Sequence, residues 1–255
     1  SRPLVLSWIR TSVTALTGYF GRFPVTDYGL LVIAEDSDTV GHATTFGYGG
    51  AATRIRVGRS ADHSAFARDW VLVHEMFHAA LPDLPRRSLW MQEGNATWLE
   101  PVARASAGQL PVSEVWRQAI DGMPSGEPSA ADGGMDGTSV HDRLYWGGAT
   151  FWLLAEVEIL LQSDGRHTLR DAMRRVSGAS GGIADDWTPE RFVECCDRAT
   201  GTNALTKLYD RFAGRPEHTD LATLFTRLGV GLRQGQVIFD NTAELASIRQ
   251  RITMR

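Results

Sequence analysis

The chain predicts an α+β fold, mostly helical, with a small N-terminal mixed sheet lobe and a C-terminal helical lobe. Two strand-like runs, "YGLLVIAED" and "TRIRVGRS", fall within its first quarter. From Ser64 onward helical periodicity takes over almost everywhere. The 255 residues, 43% hydrophobic and 22% charged, are enough for one large domain with a continuous core. A single domain over 1–255 is expected, with 1–87 as the α/β lobe and 88–255 as the helical lobe.

Taken in order, "PLVLSWIRTSVTALTGYFGRFP" has helical spacing and stops at Gly21 and Pro24. "YGLLVIAED" reads as a buried strand and "TRIRVGRS" as an alternating one. Between them "HATTFGYGGAA" is extended and glycine-rich, where another backbone can approach closely. A helix beginning near Phe66 ends at Pro82 and Pro85. Further helices start at Ser88 and Ser113, and "HDRLYWGGATFWLLAEVEILL" makes a long one. Shorter helices follow around 168–176, 189–199, 203–213 and 219–228, then a strand at "GQVIFD". The Gly/Pro/Ser stretch 122–139 is long for a loop inside a domain and reads as a lid, a binding loop or disorder.

Composition removes several function classes. A formal net charge of −4 with no basic run gives no electrostatic footprint for nucleic acid. No uninterrupted apolar run reaches the roughly 20 residues of a membrane span. The nearest, "WGGATFWLLAEVEILL", carries Glu156 and Glu158 and reads as a buried helix. Cys195 and Cys196 are adjacent, unsuited to pairing with each other, and expected to be plain helix residues. With neither an initiator methionine nor a signal-peptide pattern, Ser1 reads as a processing boundary, which leaves room for additional domains outside this sequence.

The chemistry is concentrated at "VLVHEMFHAALP", residues 71–82, where His74, Glu75 and His78 sit in an otherwise apolar helix. Polar groups buried unpaired cost roughly 2–7 kcal/mol each, so they need partners. Histidines four apart project from one helix face. His-Glu-x-x-His is the arrangement in which two imidazoles hold zinc and the intervening glutamate works on a water. Residue frequencies alone would produce it about once in a hundred such chains.

A catalytic zinc needs a third protein ligand and an open fourth position. In "SLWMQEGNATWLEP" Glu93, Thr97 and Glu100 form a polar stripe at i, i+4 and i+7. Glu93 is the candidate ligand. Thr97 and Glu100 are candidates for orienting a ligand imidazole from behind.

These residues resemble the gluzincin metallopeptidases, a thermolysin-like fold, in the branch of aminopeptidase N-like and glycyl-aminopeptidase-like enzymes. The resemblance rests on "HEMFH", "WMQEGNATWLE" and "YWGGATFWLLAEVEI", and covers residues 66 to about 160. It implies one zinc per chain on His74, His78 and Glu93, with Glu75 as general base. It also implies that Tyr145, in the family's Tyr-x-x-Gly-Ala segment, supports the transition state. Two departures stand out. Only fourteen residues separate His78 from Glu93, fewer than is usual in that branch. Those aminopeptidases also carry an edge-strand Gly-x-Met-Glu-Asn segment whose glutamate holds the substrate's free amine. "FGYGGAATRIRVG", taken as its counterpart, has no acidic residue.

The expectation is therefore a zinc-dependent peptidase acting on peptides or proteins at internal bonds. "GYGGAATRIRV" would serve as the edge strand on which substrate lies, with Gly47, Tyr48, Gly49, Gly50 and His141 as substrate-binding candidates. An aminopeptidase of the same clan, a non-catalytic peptide-binding relative, and a zinc hydrolase of non-peptide amides or esters are the alternatives.

Overall fold

Apolar residues at helical spacing bury one face of α1, through Trp8, Leu16, Tyr19 and Phe20. In the computed structural model, which describes residues 1–129 and 131–254, α1 runs Arg2–Phe20 and ends at Gly21 with φ 80°. Three strands follow: β1 (Tyr28–Glu35), β2 (Val40–Phe46) and β3 (Ala51–Gly58). The sheet order is β1-β3-β2, with β1 parallel and β2 antiparallel to β3. The alternating strand "TRIRVG" is thus the central one, its Ile55 and Val57 facing the core.

Two strand expectations need correction. β1 is not a buried strand but an edge, with every second side chain turned outward and Leu31 59% exposed. The edge beside the α3 helix is β2, not the segment from Gly47 onward. Gly47 to Gly50 form the turn between β2 and β3. Close backbone approach does occur there, though to this chain's own Ile183: a Cβ on Gly47 would lie 2.1 Å from its carbonyl oxygen.

The helix expected from Phe66 is two helices, α2 (His63–Arg68) and α3 (Val71–Ala80). Asp69 breaks them by capping α3, accepting from the Val71 and Leu72 amides at 3.0 and 3.3 Å. Trp8 Nε1 donates to the same carboxylate at 2.9 Å and ties the cap to α1.

α4 (Leu89–Ser106), α5 (Val112–Gly122) and α6 (Gly148–Gln162) form the core of the helical part. α7 (Leu169–Ala179), α8 (Pro189–Thr200), α9 (Ala204–Phe212) and α10 (Leu221–Leu228) follow. A hairpin, β4 (Val230–Arg233) with β5 (Gln236–Phe239), and α11 (Ala246–Ile252) complete the chain. β4 and α11 have no counterpart in the sequence reading. Segment 143–162 is long and apolar enough to cross a membrane by composition, yet 67% of that window is buried inside the protein. Its Phe151, Trp152 and Leu153 are core residues. Cys195 and Cys196 are unpaired and buried in α8.

The stretch 122–139 is neither lid nor disorder where described; residue 130 lies outside the described residues. Met123 and Met135 are buried, Asp136 accepts from Trp90 Nε1 at 2.8 Å, and Asp132 pairs with Arg143 at 3.0 Å. It buttresses the segment that leads into α6.

Candidate metal centre

α3 has apolar residues on nearly every side, so its polar side chains are held inside the protein: His74 is 3% exposed and Glu75 9%. One turn apart on the same face, the His74 and His78 rings stand nearly perpendicular with centroids 4.8 Å apart. α4 packs on that face and delivers Glu93. Its Oε2 lies 3.1 Å from His74 Nε2 and 3.3 Å from His78 Nε2. One ligand atom from each of the three residues falls within 4.8 Å of the others.

Those spacings suit a cation. Bonds of about 2.0–2.1 Å in a tetrahedral site put ligand atoms roughly 3.3 Å apart. Protonation preferences point the same way for two of the three residues. Burial opposes ionisation of Glu93, but hydrogen bonds from both histidines overcome it and hold the carboxyl well below its usual range. Burial also drives His74 toward the neutral form a metal ligand needs. Burial acts on His78 in that direction too, but Glu93, Glu75 and Asp83 outweigh it and push its pKa up.

Glycine explains how α4 and α6 come close enough to build this cluster. A Cβ on Gly94 would sit 2.2 Å from the Gly148 carbonyl carbon, and one on Gly148 would sit 2.2 Å from Trp90 O. The backbones touch directly, one residue past Glu93 and three past Tyr145. Just before α6 the chain makes one turn of π-helix, Arg143–Gly147, a feature that often re-aims a side chain at a functional site. Tyr145 projects from it, its ring near-parallel to His74 at 5.9 Å between centroids and stacked on His141 at 4.3 Å. Burial, with the Glu93 charge beside it, raises the Tyr145 pKa, so the hydroxyl keeps its proton.

A cavity of about 550 Å³ opens over the cluster. β2 forms one wall from Val40 to Thr45, and Trp70, Val71, Gln92, Tyr145 and Ile183 contribute to the rest. Glu75 faces it beside Thr45, whose Oγ1 donates to Glu75 Oε2 at 2.6 Å. Among the described residues the cavity's carboxylates are Glu75, Asp83 and Glu93, and no lysine or arginine lines it.

The structure therefore brings together His74, His78, Glu93, Glu75 and Tyr145. Thr97 lies one turn beyond Glu93, its Oγ1 buried without a partner among the described residues, as is His74 Nδ1. Glu100 is placed elsewhere: its carboxylate accepts from Arg104 at 2.7 Å and does not touch either histidine. Burial raises its pKa to about 7 despite that partner. Gly47, Tyr48, Gly49 and Gly50 lie outside the cavity lining, and Tyr48 is 98% exposed. His141 reaches the site only by stacking on Tyr145. Sequence reasoning missed Thr45, Trp70 and Asp83. The signal for the first was present, because "VGHATTF" has the β-branched content of a strand.

No protein-family model and no curated protein matches the chain. Among solved structures it is similar to an aminopeptidase N family protein from Idiomarina loihiensis, at a TM-score of 0.66 and 16% identity. The match covers 89% of this chain and 45% of that one. At that identity the likeness is one of fold: a mostly helical α+β architecture with a small mixed sheet, shared with part of an aminopeptidase-family protein.

Proposed function

We propose that the chain is a zinc peptidase catalytic domain of the gluzincin, thermolysin-like type. The observation that carries this reading is the convergence of His74, His78 and Glu93 within 4.8 Å at the floor of a cavity. Glu75 and Tyr145 face the same space. The fold likeness to an aminopeptidase N family protein is consistent with it.

The chemistry a bound zinc ion supplies here is Lewis acidity, which polarises the scissile carbonyl and makes an attacking water more acidic. His74, His78 and Glu93 would hold the ion. Glu75, two carboxylate oxygens on the same helix and no ligand, takes the water's proton and passes it to the leaving amine. Tyr145, kept protonated by burial and by Glu93, donates a hydrogen bond to the oxygen on which charge develops. β2 offers its main chain to an extended peptide.

The composition of β2 supports cleavage at internal bonds. "VGHATTF" contains no carboxylate to hold a free amine, and an unpaired desolvated ammonium there would be costly. The aminopeptidase reading has one observation in its favour, Asp83 at the cavity wall. A mixed peptide library read by mass spectrometry, with and without chelator, tests all of this. Chelator-sensitive internal cleavage supports the proposal. Release of single N-terminal residues, abolished by acetylation, transfers the assignment to an aminopeptidase. No cleavage of any peptide ends it.

A further inference from the structure

Glu75 is tied to the sheet by a series of hydroxyls that no metal site requires. Tyr28 on β1 donates to Thr53 Oγ1 on β3 at 2.6 Å. Thr53 and Thr45 Oγ1 on β2 are 2.7 Å apart, and Thr45 Oγ1 stands 2.6 Å from Glu75 Oε2 on α3. Each hydroxyl has one proton to give. Tyr28 spends its own on Thr53, so Thr53 donates to Thr45, and Thr45 is left to donate to Glu75, where its Oγ1 lies 2.6 Å from the carboxylate Oε2 and 3.1 Å from the main-chain oxygen, the carboxylate being the shorter contact. An ionised carboxylate accepts only, which fixes the direction of the whole series. One residue from each strand is engaged, and Thr53 is 1% exposed, so the path is shielded from competing water.

We propose that this series makes Thr45 a positioning residue for Glu75. The inference rests on the peptidase reading for its kinetic consequence, though not for its geometry. A free glutamate side chain samples several staggered rotamers, each of which puts the carboxylate in a different place. Thr45 pins Oε2 by a short charge-assisted hydrogen bond. Oε1, with no protein partner among the described residues, is left for the reacting proton. Because Thr45 sits on the strand that also lines the cavity, the same contact sets the general base against the β2 main chain. Peptide and base are thereby registered to one element.

The effect should be catalytic and not one of binding. Thr45→Val keeps the shape and strand propensity of the side chain while removing the donor, and the β2 main chain stays available. The expected result is a fall in kcat of roughly ten- to hundred-fold, the scale of an approximately 1 Å misplacement of a reacting group. KM and zinc content should stay within about twofold of the parent, and Thr45→Ser should restore most of kcat. Thr53→Val, one bond further back, should cost less than Thr45→Val. A Thr45→Val enzyme with parental kcat, or a Thr45→Ser enzyme as impaired as Thr45→Val, overturns the proposal. Crystal structures of parent, Thr45→Val and Thr45→Ser give a readout independent of turnover. The Glu75 carboxylate should leave its parental position in the valine variant and regain it in the serine variant; an unmoved carboxylate overturns the proposal. If the parent cleaves no peptide, the peptidase reading fails while the structures still judge the clamp.

Discussion

Replacing Gly94 by alanine should damage the candidate metal centre without touching a proposed ligand. The added methyl would lie 2.2 Å from the Gly148 carbonyl carbon, 2.3 Å from its Cα and 2.7 Å from Ala149 N. All three are backbone atoms of α6, so no rotamer change relieves the clash. Carbon atoms in contact sit about 3.5–4.0 Å apart, so α4 and α6 must separate by more than about 1 Å. Overpacking of this kind costs typically 1–3 kcal/mol, or roughly 3–10 °C in Tm for a chain of this size. The functional loss should be larger in proportion. Glu93 on α4 and Tyr145 ahead of α6 move relative to each other and to α3. Zinc affinity should fall roughly ten- to hundred-fold, as when a ligand's support is disturbed. The assay is a zinc competition titration beside thermal melting, with Gly18→Ala as control. Gly18 lies in α1 with nothing within 4 Å of an added Cβ, and alanine there should stabilise by about 0.5–1 kcal/mol. Gly148→Ala should resemble Gly94→Ala, and the double variant should lose less than the sum, because both act on one contact. A Gly94→Ala protein with parental zinc affinity and Tm would refute the reasoning.

The remaining expectations are more direct. Purified protein should bind about one zinc per chain, as the ligand set requires, with occupancy lost in His74→Ala and Glu93→Ala by metal analysis, and chelation should lower Tm because only the folded state binds tightly. Glu75→Gln should keep zinc and fold yet lose most turnover, and Tyr145→Phe should lower kcat by roughly ten- to thousand-fold at unchanged metal content. N-acetylated peptides should be cleaved at least as well as free-amine ones, with Asp83→Asn leaving that ratio unchanged; loss of only the free-amine activity in Asp83→Asn would identify Asp83 as an amine anchor. Burial raises Glu156 from an ordinary 4.5 to about 7. The unfolded chain ionises first, so the stability this group gives is present below about pH 4.5 and is lost as pH rises through 7. Chemical denaturation should show unfolding free energy falling over that window, by at most about 3 kcal/mol from this group, and Glu156→Gln should flatten the slope.

The helical part of the molecule was legible because its signals are local. The spacing of Trp8, Leu16, Tyr19 and Phe20, the Pro82 and Pro85 stops, and the apolar run of α6 each fit within one element. What escaped depended on partners distant in sequence. β1 carries the same apolar residues as a buried strand, and only the uncovered outer face of the sheet, which Leu31 shares with Arg54 of the central strand, exposes it. Asp69 looks like any polar residue inside a helix until its carboxylate caps the Val71 and Leu72 amides and takes the Trp8 indole proton. Glu100 shares Glu93's stripe by spacing, yet Arg104 one turn on claims it, a contact the charges alone already allowed.

The same distinction separates the two halves of the site. Holding a metal demands particular side chains at fixed helical offsets, so His74, His78 and Glu93 stand out in the sequence as polar exceptions in apolar helices. Lining up a peptide demands only main-chain hydrogen-bonding groups on an edge, which any sequence of strand type supplies. Glycine-rich character drew attention to the turn at Gly47 to Gly50, whereas the wall of the cavity is the plainer run before it, Val40 to Thr45. Within that run one side chain departs from anonymity. Thr45 is bonded at once to the sheet interior and to Glu75, and a threonine among threonines carries no spacing pattern that would announce it. On the proposed reading, the metal half of such a site is written in residue identity, the substrate half is written in topology, and Thr45 is where the two are joined.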